Sequence, residues 1–344
     1  MKIKNRIIGP NEFPFVIAEI GINHNGNIEI AKKMVLEAAK SGAECIKHQT
    51  HFVEDEMTIE AKYIFPPNAN ESIWDVIEKN ALSKDEEIEL KTFTENLGLI
   101  YISTPFSRSA ADFLAEIDIP AFKIGSGECT NIPLIRHITK FQKPMLLSTG
   151  MTSIEDIKKS VELLETSNVD FALLECTNLY PSPPEFVSLR GISELKKTFP
   201  NAIIGFSDHS IGPYVALSSI ALGACIIERH FTDSFYREGP DISSSMDPSE
   251  LKIIIEKSKE IFQASKNHKQ RTKPEESVFK FARGSIVADQ NLPVGKIINE
   301  NDIWARRPGT GEIPASEFDN LIGRKLKKAI CFNQQIKWED LAND

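Results

Sequence analysis

The chain has 344 residues, 41% of them hydrophobic and 26% charged, which is typical of a globular protein and excludes a disordered or low-complexity chain. Its formal net charge of −9 argues against a nucleic-acid or anionic-membrane binder, so an anionic substrate would need a local cluster of cations. The five cysteines form no Cys-x-x-Cys pair, and neither a membrane helix nor a secretory signal is present, so we expect a soluble, cytoplasmic protein.

Short apolar runs recur along the first two thirds of the chain and alternate with helical patterns. Most runs lack strict polar alternation, as expected of parallel strands that are buried on both faces. Ser83 with Glu86 and Ser153 with Asp156 are capping boxes that open two of the helices. The eight predicted strands cover residues 15–20, 45–50, 100–104, 121–126, 144–149, 171–178, 202–208 and 224–230.

Eight strand–helix repeats indicate an α/β fold, a (β/α)8 TIM barrel, within residues 1–266. A doubly wound open sheet is the alternative, although no G-x-G-x-x-G follows the first strand. Residues 52–82 are longer than an ordinary strand-to-helix loop and carry Pro66, Pro67, Asn68 and Asn70. We interpret them as a lid or binding loop.

The C-terminal part of the chain differs in composition from the barrel. Residues 267–281 are polar and read as a linker, while residues 282–344 hold short β-like runs that prolines and glycines interrupt. About 60 residues bury little core by themselves, so this module is expected to dock on another surface.

Polar side chains stand at the carboxyl ends of the predicted strands, where barrel enzymes form their active sites. Lys47 and Lys123 would supply local positive charge for a phosphate and a carboxylate, unless each only pairs with a neighbouring acid such as Glu128. His209 and His230 end adjacent strands and could share one divalent metal ion. Glu19 could act as a general base or form a structural ion pair with a lysine.

Several segments together resemble the sialic acid synthase family, which condenses phosphoenolpyruvate (PEP) with an N-acetylated hexosamine. They are IAEIGINHNG, IKHQTHFVEDEM, ISTPFS, FKIGSGE, LLSTGM, CTNLYP, GFSDHS, ERHFT and GPDI. The resemblance runs from about residue 13 to the C-terminus, and the tail resembles the antifreeze-like SAF (β-clip) domain of these enzymes. KHQTH with VEDEM, and GPDI before Ser-Met-Asp-Pro, are most similar to bacterial N-acetylneuraminate synthases.

The resemblance implies a role for individual residues. His209 and His230 would hold Mn²⁺, or Mg²⁺ or Co²⁺ in its place, and Glu19 would be the catalytic base. Arg307 of the tail would reach the acetamido group of sugar in the partner subunit of a domain-swapped homodimer, unless the adjacent Arg306 does so. PEP would bind Lys47, Lys123, Ser126, Ser148, Asn178 and Ser207. The open-chain sugar would contact Gln49, Glu128, Tyr180 and Asp241.

The function that this resemblance implies is N-acetylneuraminate synthesis from PEP and N-acetylmannosamine, with C–O cleavage releasing phosphate. A sister synthase that makes legionaminate or pseudaminate from a diacetamido-trideoxy hexose is the main alternative. Another PEP-dependent barrel enzyme would use a sugar phosphate and call for further basic residues in the mouth. A non-enzymatic carbohydrate- or ice-binding protein is disfavoured, because residues 282–344 contain only Thr310 where a Thr-rich face would be needed.

Overall fold

The computed structural model describes residues 1–66 and 70–342. The chain divides into two compact units, Met1–Lys266 and Asn267–Asp344. Pro67 and Asn68 of the predicted loop lie outside the described residues. Within the described ranges no helix is long and apolar enough to cross a membrane.

The first unit is a closed parallel barrel, which confirms the predicted (β/α)8 fold and excludes the open sheet. Each strand pairs with the next along the chain, and the last pairs with the first. A short antiparallel hairpin that the sequence did not predict, β1 (Lys2–Ile3) and β2 (Arg6–Ile7), precedes the barrel. The barrel strands are β3 (Phe15–Gly21), β4 (Cys45–Thr50), β5 (Ile100–Pro105), β6 (Phe122–Ile124), β7 (Met145–Ser148), β8 (Phe171–Cys176), β9 (Ile203–Asp208) and β10 (Ile226–His230).

Helices follow the strands and pack on the outside of the barrel. Both predicted capping boxes are present, with Ser83 and Ser153 each accepting a hydrogen bond from the backbone N–H three residues on. The long segment after β4 contains two additional helices, α2 and α3. The helices are α1 (Ile28–Lys40), α2 (Val53–Glu56), α3 (Ile73–Asn80), α4 (Lys84–Asn96), α5 (Arg108–Glu116), α6 (Ile132–Thr139), α7 (Ile154–Thr166), α8 (Leu189–Thr198), α9 (Tyr214–Ala221) and α10 (Pro248–Ser265).

The barrel interior changes from apolar to polar along its axis. One buried cluster fills the amino-terminal half and includes Ile17, Ile102 and Leu174, with Ile3 of the hairpin also in this cluster. A larger cluster on the outside joins the strands to their helices. Because the amino-terminal half of the barrel interior is packed with apolar side chains, a ligand from the solvent can enter the barrel only at its carboxyl end.

The second unit has its own small core, which includes Ile286, Leu292, Ile313 and Leu326. An antiparallel pair of strands, β11 (Ser285–Ala288) and β12 (Ile303–Arg306), runs through it, and α12 (Phe318–Leu321) follows. The segment predicted as a linker contains a 3₁₀ turn, Lys273–Glu275, and most of a short helix, α11 (Glu276–Ala282).

Candidate active site

The parallel register of the barrel sets side chains of neighbouring strands level with one another at the carboxyl end. Glu19 of β3 pairs in register with Lys47 of β4 on one side and with His230 of β10 on the other. Because side chains alternate along a strand, residues two positions apart share a face, so Gln49 lies on the side of Lys47 and Glu228 on that of His230. The polar strand ends therefore converge in one layer above the apolar interior.

These side chains line a narrow cavity of about 140 Å³, which we call the inner mouth. All six residues predicted to bind PEP line it, together with the predicted base Glu19 and the predicted metal ligands. It also contains four side chains that were not among the predicted site residues. These are Thr104, Phe106, Cys176 and Glu228.

Two buried lysines and two buried carboxylates alternate across the inner mouth. The Lys47 ammonium donates to Glu19 Oε1 and, at 3.2 Å, to Thr104 Oγ1. The Lys123 Nζ donates to Ser148 Oγ at 2.7 Å and lies 3.3 Å from Glu228 Oε1. Glu228 Oε1 is also 3.9 Å from Lys47 Nζ, so both lysines share this carboxylate. The lysines therefore do pair with acids, but with Glu19 and Glu228 and not with Glu128.

One indirect signal in the sequence indicates Glu228. It stands two residues before His230, so any strand that points the histidine into the barrel also points this glutamate inward. Ser207 Oγ donates to Glu228 Oε1 at 3.1 Å. Its other carboxylate oxygen, Oε2, is buried and has no hydrogen-bond partner within the described chain. Glu228 therefore keeps one acceptor oxygen unpaired among the described residues while its other oxygen lies near both ammonium groups.

The environment shifts the pKa values of the inner-mouth charges in different directions. Burial alone would raise the pKa of Glu19, but the charges of Lys47 and His230 and the amide of Gln49 outweigh it and hold this pKa well below its ordinary range. Burial lowers the pKa of Lys47, yet Glu19 and Glu228 more than compensate and raise it. For Lys123 burial prevails over Glu228, and its pKa falls. Glu19 is thus ionised, as a proton acceptor must be.

The two histidines predicted as metal ligands lie side by side, with ring centroids 5.3 Å apart. His209 Nδ1 donates to the carbonyl oxygen of Thr177 at 2.8 Å, so in the neutral ring the other nitrogen, Nε2, carries a lone pair. Burial and the neighbouring His230 lower the pKa of His209 to about 3, so its ring is neutral. His230 Nδ1 is buried and has no hydrogen-bond partner among the described residues. A neutral imidazole with a free nitrogen, as at His209, is the form that binds metal ions.

Further metal ligands are not gathered at this position. No group of three or more His, Cys, Asp or Glu side chains in residues 1–66 and 70–342 is arranged to hold a metal ion. Asp241 Oδ2 lies 3.8 Å from His230 Nδ1 and Glu19 Oε2 lies 3.9 Å from its Nε2. The chain thus supplies two imidazoles with carboxylates nearby, a set that leaves coordination positions for water and substrate.

Two glycines allow the loops of the mouth to approach these side chains closely. Gly21, at a φ of +48°, ends β3, and a Cβ there would lie 3.2 Å from Gln49 Nε2 and 3.4 Å from His230 Nδ1. At Gly150 an added Cβ would lie 1.8 Å from Asn178 Oδ1, while the Gly150 N–H donates to Ser126 Oγ at 3.1 Å. A side chain at either position would displace predicted substrate-binding groups.

A second cavity of about 290 Å³, which we call the outer cavity, adjoins the inner mouth. It shares Gln49, Phe106, Tyr180 and His230 with the inner mouth and also contains Asp241. Three of the four predicted sugar contacts therefore lie together here. The residues that line it are Ile22, Gln49, His51, Glu56, Pro66, Ile73, Val76, Ile77, Phe106, Tyr180, His230, Pro240 and Asp241.

The fourth predicted sugar contact, Glu128, is placed apart from the other three. Its carboxylate accepts a hydrogen bond from Asn131 Nδ2 and lines a separate cavity of about 550 Å³. That cavity touches the outer cavity through Phe106 and Glu56. A contact between Glu128 and the sugar stays a prediction.

The other histidines near the mouth are accounted for by hydrogen bonds. His24 Nε2 lies 3.1 Å from His48 Nε2, and His48 Nδ1 lies 3.2 Å from Glu87 Oε1 in a buried chain outside the barrel. His51 lies 2.8 Å from Glu56 and stacks on Phe106 at the edge of the outer cavity. Both ring nitrogens of each of these three imidazoles are within hydrogen-bond distance of a partner in the described chain, so none of the three is free to bind a metal ion.

The two adjacent arginines of the second unit differ in their surroundings. Arg306 is held within its own unit, where it pairs with Asp289, donates to Asn333 Oδ1 at 3.2 Å and stacks on Phe332. Arg307 is exposed and makes no hydrogen bond or ion pair to the described part of the chain. Of the two, Arg307 is the one available to a ligand or partner.

Comparisons with known proteins agree with the barrel and its appended unit. The NeuB family model matches residues 34–270 and the SAF domain model matches residues 283–342. The N,N'-diacetyllegionaminic acid synthase of Campylobacter jejuni is 34% identical over 321 residues, 91% of this chain and 96% of that protein. Human N-acetylneuraminate-9-phosphate synthase is 31% identical over 325 residues, 93% and 90% of the two chains.

A solved structure extends the similarity to three dimensions. The N-acetylneuraminic acid (sialic acid) synthetase of Leptospira borgpetersenii, in complex with citrate, superposes with a TM-score of 0.75 at 28% identity, over 81% of this chain and 94% of that one. The fold and site define a TIM-barrel protein with a C-terminal SAF domain, and the named relatives are synthases. The chain belongs to the NeuB family, the sialic acid synthase family that its sequence motifs resemble.

Proposed function

We propose that the protein condenses PEP with the open-chain form of an N-acetylated hexosamine, N-acetylmannosamine, to give N-acetylneuraminate and phosphate. The observation that carries this proposal is the inner mouth, where two buried lysines, three serine hydroxyls and an amide face one small cavity. This set of donors matches a ligand with a phosphate and a carboxylate on adjacent atoms. The chain as a whole is acidic, with a formal net charge of −9, so an anion needs local ammonium groups such as these two.

PEP would be held by Lys47, Lys123, Ser126, Ser148, Asn178 and Ser207. Its negative charges would compete with Glu19 and Glu228 for the two ammonium groups. As Lys47 turns toward the PEP carboxylate, the pKa of Glu19 rises from its depressed value toward the range of a useful base. Substrate binding would thus prepare the carboxylate that the reaction needs.

His209 and His230 fit a divalent metal ion, Mn²⁺ in our proposal, because each ring has a nitrogen that makes no hydrogen bond within the described chain. A divalent ion bound there would supply Lewis acidity toward the aldehyde oxygen of the sugar. Gln49, Tyr180 and Asp241 would orient the open-chain sugar in the outer cavity so that its aldehyde faces the inner mouth.

In the reaction, C3 of PEP forms a bond to the aldehyde carbon, and the positive character that develops at C2 is met by water. Glu19 accepts one proton of that water and passes it to the aldehyde oxygen, which becomes a hydroxyl group. The hydroxyl group now at C2 gives its proton to the departing phosphate as the C–O bond breaks, which leaves the 2-keto acid. The lysines and hydroxyls hold PEP at attack distance and stabilise the charge of the departing phosphate. Much of the acceleration would therefore come from positioning and preorganised electrostatics.

A second acceptor, a diacetamido-trideoxy hexose, is favoured by the aliphatic side chains Ile22, Ile73, Val76 and Ile77 of the outer cavity. With such a sugar, the PEP site and the reaction would stay the same. Only the contacts between the sugar and the outer cavity would differ. Legionaminate-type products would then replace N-acetylneuraminate.

We further propose a homodimer in which Arg307 of one subunit reaches the acetamido group bound in the other. The exposed and unpaired state of Arg307 within the described chain supports this role, whereas Arg306 is held by Asp289. Mixing Arg307→Ala subunits with Glu19→Gln subunits tests it. Each variant alone would be inactive, and the mixture would regain about a quarter of the wild-type activity, as random pairing of subunits predicts. No regained activity in a mixture shown to exchange subunits would contradict the proposal.

The overall function is tested by phosphate release from PEP. Purified protein, stripped of metal and resupplied with Mn²⁺, is assayed with N-acetylmannosamine, with a 2,4-diacetamido-trideoxy hexose, with arabinose 5-phosphate and without sugar. Release that depends on an N-acetylated sugar would support the proposal. Release that depends only on arabinose 5-phosphate, or on no sugar at all, would refute it.

A further inference from the structure

A buried ion pair lies directly behind the two histidines predicted as metal ligands. Asp208 is the last residue of β9 and precedes His209, while Arg229 of β10 precedes His230. Asp208 and Arg229 pair in register, and Arg229 Nε lies 3.3 Å from Asp208 Oδ2. Because side chains alternate along a strand, this pair lies on the outer face of the barrel, whereas both histidines line the inner mouth.

The Asp208–Arg229 pair is withdrawn from water. Each of the two side chains is only 1% exposed, and Arg229 is the largest fully buried side chain in the described part of the protein. Charged groups are seldom buried without a partner, because their transfer out of water is costly. Neither residue lines the inner mouth or the outer cavity, so the chemistry proposed above gives the pair no role.

The guanidinium of Arg229 holds the loop between β9 and α9, which begins with His209. Its Nη2 donates to the carbonyl oxygen of Ser210 at 2.5 Å, and its Nη1 donates to that of Gly212 at 2.9 Å. Asp208 Oδ1 accepts a hydrogen bond from the Ser210 N–H at 3.0 Å. The residues before and after His209 are therefore both tied to the ion pair.

His209 depends on this loop because it stands beyond the strand pairing. The parallel ladder between β9 and β10 ends at Asp208 and Arg229. The ring of His209 donates from Nδ1 to the carbonyl oxygen of Thr177 at 2.8 Å, and its centroid is 5.3 Å from that of His230. Two imidazoles share an ion only when a nitrogen of each lies about 2 Å from it. A small shift of the loop would therefore separate the two ligands.

We propose that the Asp208–Arg229 pair positions the metal site, by fixing the loop of His209 against the strand of His230. This inference rests on the metal ion of the proposed function and deepens it. Neither side chain touches the metal ion or a substrate, so both are positioning residues. A guanidinium suits this task, because its planar fork of N–H donors holds two carbonyl oxygens and a carboxylate at once. Glu250 of α10 pairs with the same guanidinium from the helix side.

The affinity for Mn²⁺ tests the proposal. Metal-stripped protein is titrated with Mn²⁺, and the free ion is measured by electron paramagnetic resonance. Asp208→Asn should raise the Kd about tenfold, because groups that orient metal ligands are worth about 10- to 100-fold in metal affinity. The matched control is Asp233→Asn, which makes the same change at another buried carboxylate that pairs with an arginine, Arg237. This control should bind Mn²⁺ within about twofold of wild type.

Three outcomes would overturn the positioning role. They are an unchanged Kd in Asp208→Asn, an equal loss of affinity in both variants, and a wild-type protein that binds no Mn²⁺, which would also refute the proposed metal site. The predicted Kd values without sugar-dependent phosphate release would support the positioning role and refute the proposed reaction.

The absorption spectrum of bound Co²⁺ gives a readout that loss of stability alone does not change. The d–d bands of Co²⁺ report the geometry of its ligands. With Co²⁺ at saturating concentration, Asp208→Asn should shift these bands or change their intensity, and Asp233→Asn should leave them as in wild type. Identical spectra in the three proteins would contradict the proposal.

A change that retains the buried charge keeps the test decisive if Asp208→Asn reduces folding. Arg229→Lys leaves a positive charge beside Asp208, but a single ammonium group cannot reach the carbonyl oxygens of Ser210 and Gly212 in the same geometry. The Kd for Mn²⁺ should rise about threefold. Wild-type Mn²⁺ affinity in Arg229→Lys would count against the positioning role.

Discussion

The inner mouth and the outer cavity adjoin each other but are built from opposite materials. In the inner mouth, Lys47, Lys123, Glu19 and Glu228 are buried and neutralise one another through close contacts. In the outer cavity, Ile73, Val76 and Ile77 face a few polar groups. In the reaction proposed above, the charged inner mouth would bind the PEP anion. The outer cavity, with its mixture of apolar and polar side chains, would select the acceptor.

The largest effect is expected from removing the proposed base. Glu19→Gln cannot accept a proton, so kcat should fall by about 10²- to 10⁴-fold, the usual contribution of a general base. PEP should bind as well as before or more tightly, because Lys47 would lose its carboxylate partner. Single-turnover kinetics and calorimetric PEP titration measure the two quantities. Glu44→Gln, at a surface pair with Arg6, is the control, and a kcat within threefold of wild type would remove Glu19 as base.

Metal content distinguishes the two histidines from the structural ones. His209→Ala should lose tightly bound divalent metal and with it nearly all activity, since a single remaining imidazole holds such ions weakly. Elemental analysis after dialysis against Mn²⁺ provides the readout. His137→Ala is the matched control, because His137 pairs with Asp112 on a helix surface. Undiminished metal content in His209→Ala would reject this residue as a ligand.

Breaking a buried ion pair should destabilise the inner mouth more than any change in the outer cavity. Glu228→Gln leaves Lys123 and Lys47 short of one negative charge, and removal of one partner of a buried pair costs about 3–5 kcal/mol. Urea denaturation measures the free energy of unfolding. PEP or inorganic phosphate should restore part of the loss, because either anion can neutralise the lysines. A variant as stable as wild type would show that Glu228 is not required to balance them.

A smaller, pH-dependent effect is expected at Glu175, a half-buried carboxylate that has no ion pair with the described part of the chain. Burial and the nearby Glu194 raise the pKa of Glu175 to about 7 from an ordinary value of 4.5. The folded state therefore retains this proton longer than the unfolded chain, so stability should decrease as pH rises from 4.5 to 7. Glu175→Gln should remove that decrease and stabilise the protein at pH 8 by about 1–2 kcal/mol.

Thermal and urea unfolding between pH 4 and pH 8 measure the effect. In the control, Glu194→Gln, the decrease should end at a lower pH and be smaller, because one repelling charge is gone and the folded-state pKa of Glu175 falls. Parallel stability profiles for wild type and Glu175→Gln would contradict the assignment. Glu228→Gln and Glu175→Gln together compare Glu228, a buried acid that has ammonium partners, with Glu175, a half-buried acid that has none among the described residues.

Most of the barrel and much of the inner mouth could be predicted from the sequence. The strand runs, the capping boxes at Ser83 and Ser153, and the polar strand ends are local patterns, and each is present. Parallel strands in a barrel bring their carboxyl ends to one face, so Lys47, Lys123, His209 and His230 had to meet once the fold was known. The motifs added Tyr180, which follows the predicted strand and carries no periodic signal of its own.

Other features depended on tertiary structure. Glu228 is a partner of both lysines because barrel closure sets β10 beside β3, more than 200 residues away in the chain. The aliphatic side of the outer cavity exists because α3 contributes Ile73, Val76 and Ile77 to it, although the sequence of α3 was interpreted only as part of a loop. Local sequence determines which face of a strand or helix is apolar and which residues end it. Which side chains then meet across the barrel is decided by register and packing between distant segments, and no local pattern encodes that.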